Sequence, residues 1–159
     1  MAEPKKDHSV QARFGFADED LKTSLHDEII MWCHRYAAEI YTLVLRKNAL
    51  AKVEIPKWEC WLKNNQGYLV GAVDLAIRQI LKDDDVSRRS LFIEAKGTIR
   101  TFGELMRQLN LYRGTNLAEW GRTDWLVVSP DDRFAALLEE QGIHFLKYDA
   151  KRTFVEVGR

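Results

Sequence analysis

The chain has 159 residues, 46% of them hydrophobic, which is enough for one packed domain and leaves no room for a second core of similar size. Its 24 Lys and Arg balance 24 Asp and Glu, so a nucleic-acid partner would have to meet a local basic patch, not a generally basic surface. No apolar run approaches a membrane span, and the N-terminal stretch MAEPKKDHSV lacks the apolar centre of a signal peptide. The expectation is a soluble, cytoplasmic protein with no membrane partner.

In chain order, residues 1–20 are polar and read as a loose lead-in, with Phe14 and Phe16 placed to dock on the body. Residues 21–159 read as one domain. Thr23 or Ser24 can cap a helix, with Asp27 and Glu28 in its first turn, where carboxylates suit the helix dipole. From Leu25 to Arg46 the apolar residues Ile29, Trp32, Cys33, Tyr36, Ile40, Leu43 and Val44 recur at steps of three and four, predicting one long helix. Around Val53, Ile55, Trp58, Cys60 and Leu62 the period falls to two, and Pro56 marks an edge or a bulge. Asn64 to Gly67 is a turn, so Tyr68 to Ile80 is predicted as the second strand of a hairpin. Lys82 to Asp85 is a solvated charge run. Ser90 to Lys96 is a short strand, ended by Gly97.

Helical spacing returns at Phe102, Leu105, Met106, Leu109 and Tyr112, and closes at Gly114 and Asn116. Trp125 to Val128 is a strand, Arg133 to Gln141 a helix capped by Ser129 to Asp132, and Ile143 to Tyr148 another strand. Thr153 to Val157 suggests a last edge strand. The pattern predicts an α/β fold, a mixed central β-sheet flanked by helices on both faces. Cys33 and Cys60 sit in apolar stretches without metal-ligand spacing and read as reduced core thiols. Of five tryptophans, Trp120 in Glu119-Trp120-Gly121-Arg122 is the candidate for an exposed contact or subunit interface.

Acid and base interrupt two strands that should be apolar. Asp74 breaks the run Leu69 to Ile77, and Glu94 and Lys96 follow Leu91-Phe92-Ile93. A carboxylate in such a run costs free energy unless it is paired or metal-bound. Glu94 and Lys96 are two apart and share a face of their strand. If Asp74 lies on the adjacent strand, two carboxylates and an ammonium converge. The bland alternative is a strand-end Asp and a surface Glu–Lys pair. Hard cations such as Mg²⁺ or Mn²⁺ favour oxygen donors, here Asp74, Glu94 and the main-chain oxygen of Ala95. A cation so held would activate water, and Lys96 would orient that water or offset charge on a phosphate.

The stretch Gly71-Ala72-Val73-Asp74, followed by Ile93-Glu94-Ala95-Lys96, resembles the PD-(D/E)XK signature of restriction-endonuclease-like nucleases, with Val73 where proline often stands. Gln108 and Tyr112 resemble the Gln-x-x-x-Tyr motif of the RecB-type branch. The resemblance spans roughly residues 25–148 and implies the αβββαβ core, a magnesium-dependent DNA hydrolase, and catalysis by Asp74, Glu94 and Lys96. It also implies a metal-supporting residue on the first helix. Glu28 is taken for that role, with His26 and His34 in competition because the RecB branch often carries histidine there. Gln108, Tyr112, Arg100 and Arg107 are expected to meet DNA, and a homodimer would be the simplest way to cut both strands. The bland reading makes Tyr112 core and Gln108 a surface amide. The alternative function is a nuclease-fold module that binds nucleic acid or a partner protein without cutting.

Overall fold

The computed structural model describes residues 24–80 and 89–154. Its elements are α1 (Ser24–Arg35), α2 (Ala37–Val44), β1 (Lys57–Lys63), β2 (Leu69–Arg78), β3 (Arg89–Ala95), α3 (Phe102–Arg113), a 3-10 turn (Ala118–Trp120), β4 (Arg122–Ser129), α4 (Ala135–Glu140) and β5 (His144–Lys147). The lead-in, the Lys82–Asp85 charge run and most of the suggested last strand lie outside the described residues. Of that strand, Thr153 and Phe154 are described and take no strand conformation.

The five strands form one mixed sheet in the order β1-β2-β3-β4-β5. β1–β2 and β2–β3 are antiparallel, whereas β3–β4 and β4–β5 are parallel, with α3 and α4 making the two crossovers. The hairpin between β1 and β2 turns through Gly67, whose φ of +87° a side chain would resist. β1 starts immediately after Pro56 and is an edge strand, where a missing N–H costs least. β3 is central and almost wholly buried, which explains its unbroken apolar run. α3 is closed at its start by Thr101, whose Oγ1 accepts the Glu104 N–H at 3.1 Å, and ends at Gly114.

The long first helix predicted from periodicity is two. The chain leaves helical geometry at Tyr36 (φ −106°, ψ 28°), and the Tyr36 ring lies against Trp32 and Phe154 at centroid distances of 5.9 and 5.1 Å. Helices cover both faces of the sheet. On one face Ile29, Ile30, Cys33 and Ile40 of α1 and α2 pack on Leu75, Ile77, Leu91, Ile93, Leu126 and Val128. On the other, Leu105, Leu109 and Tyr112 of α3 and Leu138 of α4 pack on Val73, Ala76, Phe92, Trp125 and Val127. Each fully buried aliphatic side chain contributes about 1.5–3 kcal/mol.

Both cysteines are free and buried. Trp120, expected at the surface, is 6% exposed. Its ring packs edge-on against Phe92 at 5.2 Å and lies under the Arg78 guanidinium at 4.2 Å, because the 3-10 turn folds it back onto the sheet. Among the described residues no helix is long and apolar enough to cross a membrane.

Candidate functional site

The ladder between β2 and β3 runs from Arg78↔Ser90 to Leu75↔Ile93 and stops. The next level would pair Asp74 with Glu94. Past that point β2 continues toward the hairpin without β3, and the two carboxylates sit where the strands part.

Asp74 is 1% exposed. Its Oδ2 accepts the backbone N–H of Ala95 at 2.8 Å, taking the place of a main-chain carbonyl in the ladder. Its Oδ1 lies 3.2 Å from His26 Nε2, on α1. The other ring nitrogen of His26, Nδ1, is 3.2 Å from Asp27 Oδ1. A neutral imidazole has one N–H and serves one of these acceptors; an imidazolium serves both.

Glu94 points to the opposite helix layer, between neighbours Ile93 and Ala95 that face α1. Gln108 Nε2 donates to Glu94 Oε1 at 3.1 Å and to the Tyr112 hydroxyl oxygen at 3.2 Å, and Tyr112 donates in turn to the Ala72 carbonyl at 3.2 Å. Lys96 Nζ stands 3.8 Å from the same Glu94 oxygen. The Gln-x-x-x-Tyr spacing puts both side chains on one face of α3, and Gly71 makes room for the ring. A Cβ at position 71 would lie 2.7 Å from Tyr112 Cε1.

Burial singles out this network. Eight polar or charged side chains are buried among the described residues, and five of them, His26, Asp74, Glu94, Lys96 and Gln108, are here; the other three are the hydroxyls Thr42, Ser90 and Ser129. Every buried ionisable group of that set is therefore in one place, and buried charge is concentrated only where partners or function require it. The thiol of Cys33 is pushed well above its ordinary value, first by burial and then by the negative charge of Asp74, so it stays protonated.

Two adjoining groups result: Asp74 with Ala95 and His26, and Glu94 with Lys96, Gln108 and, behind Gln108, Tyr112. Glu28 does not join them. It is exposed, and its Oε2 accepts from the Tyr148 hydroxyl at 3.3 Å. His26 holds the position on α1 instead, because it shares the buried stripe of Ile29, Ile30 and Cys33, whereas Glu28 lies two residues off that stripe. His34 is stacked on Trp58 at 4.0 Å, its pKa lowered by burial. Tyr112 is fully buried and Gln108 is 4% exposed, so they hold Glu94 from inside and present no surface to a ligand here. Arg100 and Arg107 are exposed, on the loop after Lys96 and on α3. Arg89 is engaged by Asp124 through two hydrogen bonds of 2.9 and 3.3 Å.

Among the described residues no three His, Cys, Asp or Glu side chains are grouped to hold a metal ion. The two carboxylates on adjacent strands are oxygen donors of the kind a hard cation takes; the His26 imidazole beside Asp74 is not. Comparison of the chain with protein-family models, with curated proteins and with solved structures gives no match.

Proposed function

We propose that the protein is a divalent-metal-dependent nuclease of the PD-(D/E)XK type that hydrolyses DNA phosphodiester bonds. The observation that carries this reading is the burial of Asp74, on the Ala95 N–H, next to Glu94 with its Lys96 and Gln108 partners, where β2 and β3 part. The order of helix, three antiparallel strands, helix and parallel strand agrees with the restriction-endonuclease-like core.

In this reading Asp74, Glu94 and the main-chain oxygen of Ala95 would hold Mg²⁺ or Mn²⁺, with His26 in place of a helix-borne acid. A bound cation supplies an activated water and offsets charge on the phosphate. The chain's own groups do the rest. Both carboxylates are now held by protein donors, so ligand entry exchanges partners: Lys96 leaves Glu94 and becomes available to orient the attacking water or to stabilise the departing charge. Gln108 and, behind it, Tyr112 keep Glu94 in place during that exchange. Exposed Arg100 and Arg107 are the proposed phosphate contacts.

The protein donors already on both carboxylates favour one other reading, a nuclease-fold module that binds nucleic acid or a partner without cutting. A plasmid-nicking assay separates the two. With Mg²⁺ or Mn²⁺ the wild type should nick, and Lys96→Ala should not. Duplex binding by the wild type with no cleavage in either metal would replace the first reading by the second.

A further inference from the structure

Side chains on a regular strand alternate, so residues two apart share a face. Within the β1–β2 pair that rule fails at one level. On β2, Leu75 and Ile77 face α1 and Ala76 faces α3, yet Val73 also faces α3. On β1, Trp58 packs toward α1 and Cys60 toward α3. The register is continuous on both sides, Trp58↔Leu75 and Cys60↔Val73, and the level between them holds Glu59 and Asp74. Both strands slip by one side-chain phase at the same rung.

Glu59 is where the slip originates. Its φ is +44°, one of two non-glycine residues with positive φ among those described, and the other, Arg46, follows the end of α2. A left-handed residue inside a strand turns the chain about its own axis, as in β-bulges, and costs free energy that must be offset elsewhere. The result is visible in Asp74. Counted back from Ala76 it belongs on the α3 face; counted on from Val73 it belongs on the α1 face. Its carboxylate does both things at once: one oxygen lies along the sheet on the Ala95 N–H of β3, and the other reaches His26 on the α1 side.

We infer that Glu59 is a positioning residue whose left-handed backbone, paired across β1–β2 with the Asp74 level, turns Asp74 out of strand alternation and aims its carboxylate into the plane of the sheet toward β3. Without the slip, Asp74 would be committed to one helix layer and would lose either Ala95 or His26. The inference about the fold stands by itself; its bearing on catalysis rests on the nuclease reading above.

Three substitutions test it: Glu59→Gly, which accepts a left-handed backbone freely, Glu59→Ala, which resists it, and Glu59→Val, whose branched side chain resists it most. The readouts are melting temperature, the ring-nitrogen NMR resonances of His26 at fixed pH, and plasmid nicking with Mg²⁺. The Gly variant should melt above the Ala variant and keep the wild-type His26 resonances. The Val variant should shift those resonances toward their position in Asp74→Asn, and should nick on the order of 100-fold more slowly than the Gly variant, as expected for a misplaced catalytic group. An Ala variant that melts above the Gly variant would show that position 59 is extended, and would overturn the inference. So would a folded Val variant with wild-type His26 resonances. If the Val variant does not fold, the Gly and Ala melting order and resonances decide. If the wild type itself does not nick, the nuclease reading fails and the melting and NMR arms still decide the role of Glu59.

Discussion

β3 carries a charged cluster at each end, and the two are built on different principles. At its start, the Arg89 guanidinium grips Asp124 by two hydrogen bonds, with His144 Nε2 3.5 Å away. These groups are partly exposed, and one permanent cation answers one carboxylate. At its end, inside the protein, Asp74 meets His26 and Glu94 meets Lys96, with Gln108 giving Glu94 an amide donor. The first cluster is complete in itself and stabilises the pairing of β3 with β4. The second buries two carboxylates, which is costly unless their partners stay in place, and buried ionisable groups of this kind mark a candidate functional site.

The sharpest way to break this contrast is to neutralise one carboxylate in each cluster. Asp74→Asn keeps the acceptor for Ala95 and removes a charge. It should cut Mg²⁺-dependent nicking by at least about 100-fold, some 3 kcal/mol of barrier, while the melting temperature stays level or rises. A variant that nicks normally and melts lower would make the inner cluster as structural as the outer one. Gln108→Ala comes next. Removing the amide that serves Glu94 should raise the barrier by about 1.5–3 kcal/mol, and cost about 1–3 kcal/mol of stability, because a buried carboxylate loses its donor. Full activity in Gln108→Ala would detach the Gln-x-x-x-Tyr pair from function and leave Asp74, Glu94 and Lys96 to carry it.

Gly71→Ala tests the support behind the site. The added methyl meets the Tyr112 ring at 2.7 Å, and displacing a fully buried ring should destabilise by about 1–3 kcal/mol, measured by denaturant unfolding. An unchanged midpoint would mean that Tyr112 is free to move and holds nothing. The smallest effect belongs to the outer cluster. Burial raises the Asp124 pKa, but the hydrogen bond and charge of Arg89 outweigh it, and the net shift is downward. A depressed carboxylate stabilises the fold above its unfolded pKa of about 3.9, and that contribution is lost as pH falls through the folded value. Asp124→Asn should therefore cost about 1 kcal/mol or less at pH 7, nothing in strong acid, and should leave nicking unchanged. Loss of nicking in Asp124→Asn would erase the distinction between the two ends of β3.

By itself the amino-acid order determined the α/β class, the sheet flanked by helices, the strand bearing Glu94, which ends at Ala95 just before Lys96, and the helix bearing Gln108 and Tyr112. All of these rest on local periodicity, which survives in one dimension: period two puts Glu94 and Lys96 on one face, and a helical turn joins Gln108 to Tyr112. Only the tertiary structure shows that His26, and not Glu28, reaches Asp74. Both lie in the first turns of α1, and the choice depends on which stripe meets the sheet, set by packing of Ile29, Ile30 and Cys33 on β2 and β3. The break at Tyr36 and the burial of Trp120 were likewise out of reach, since each answers a distant partner, Phe154 in one case and Phe92 and Arg78 in the other. The aim of Asp74 was hidden most deeply. Strand periodicity assigns every residue to one face or the other, and has no value for a carboxylate that accepts a main-chain N–H of the adjoining strand.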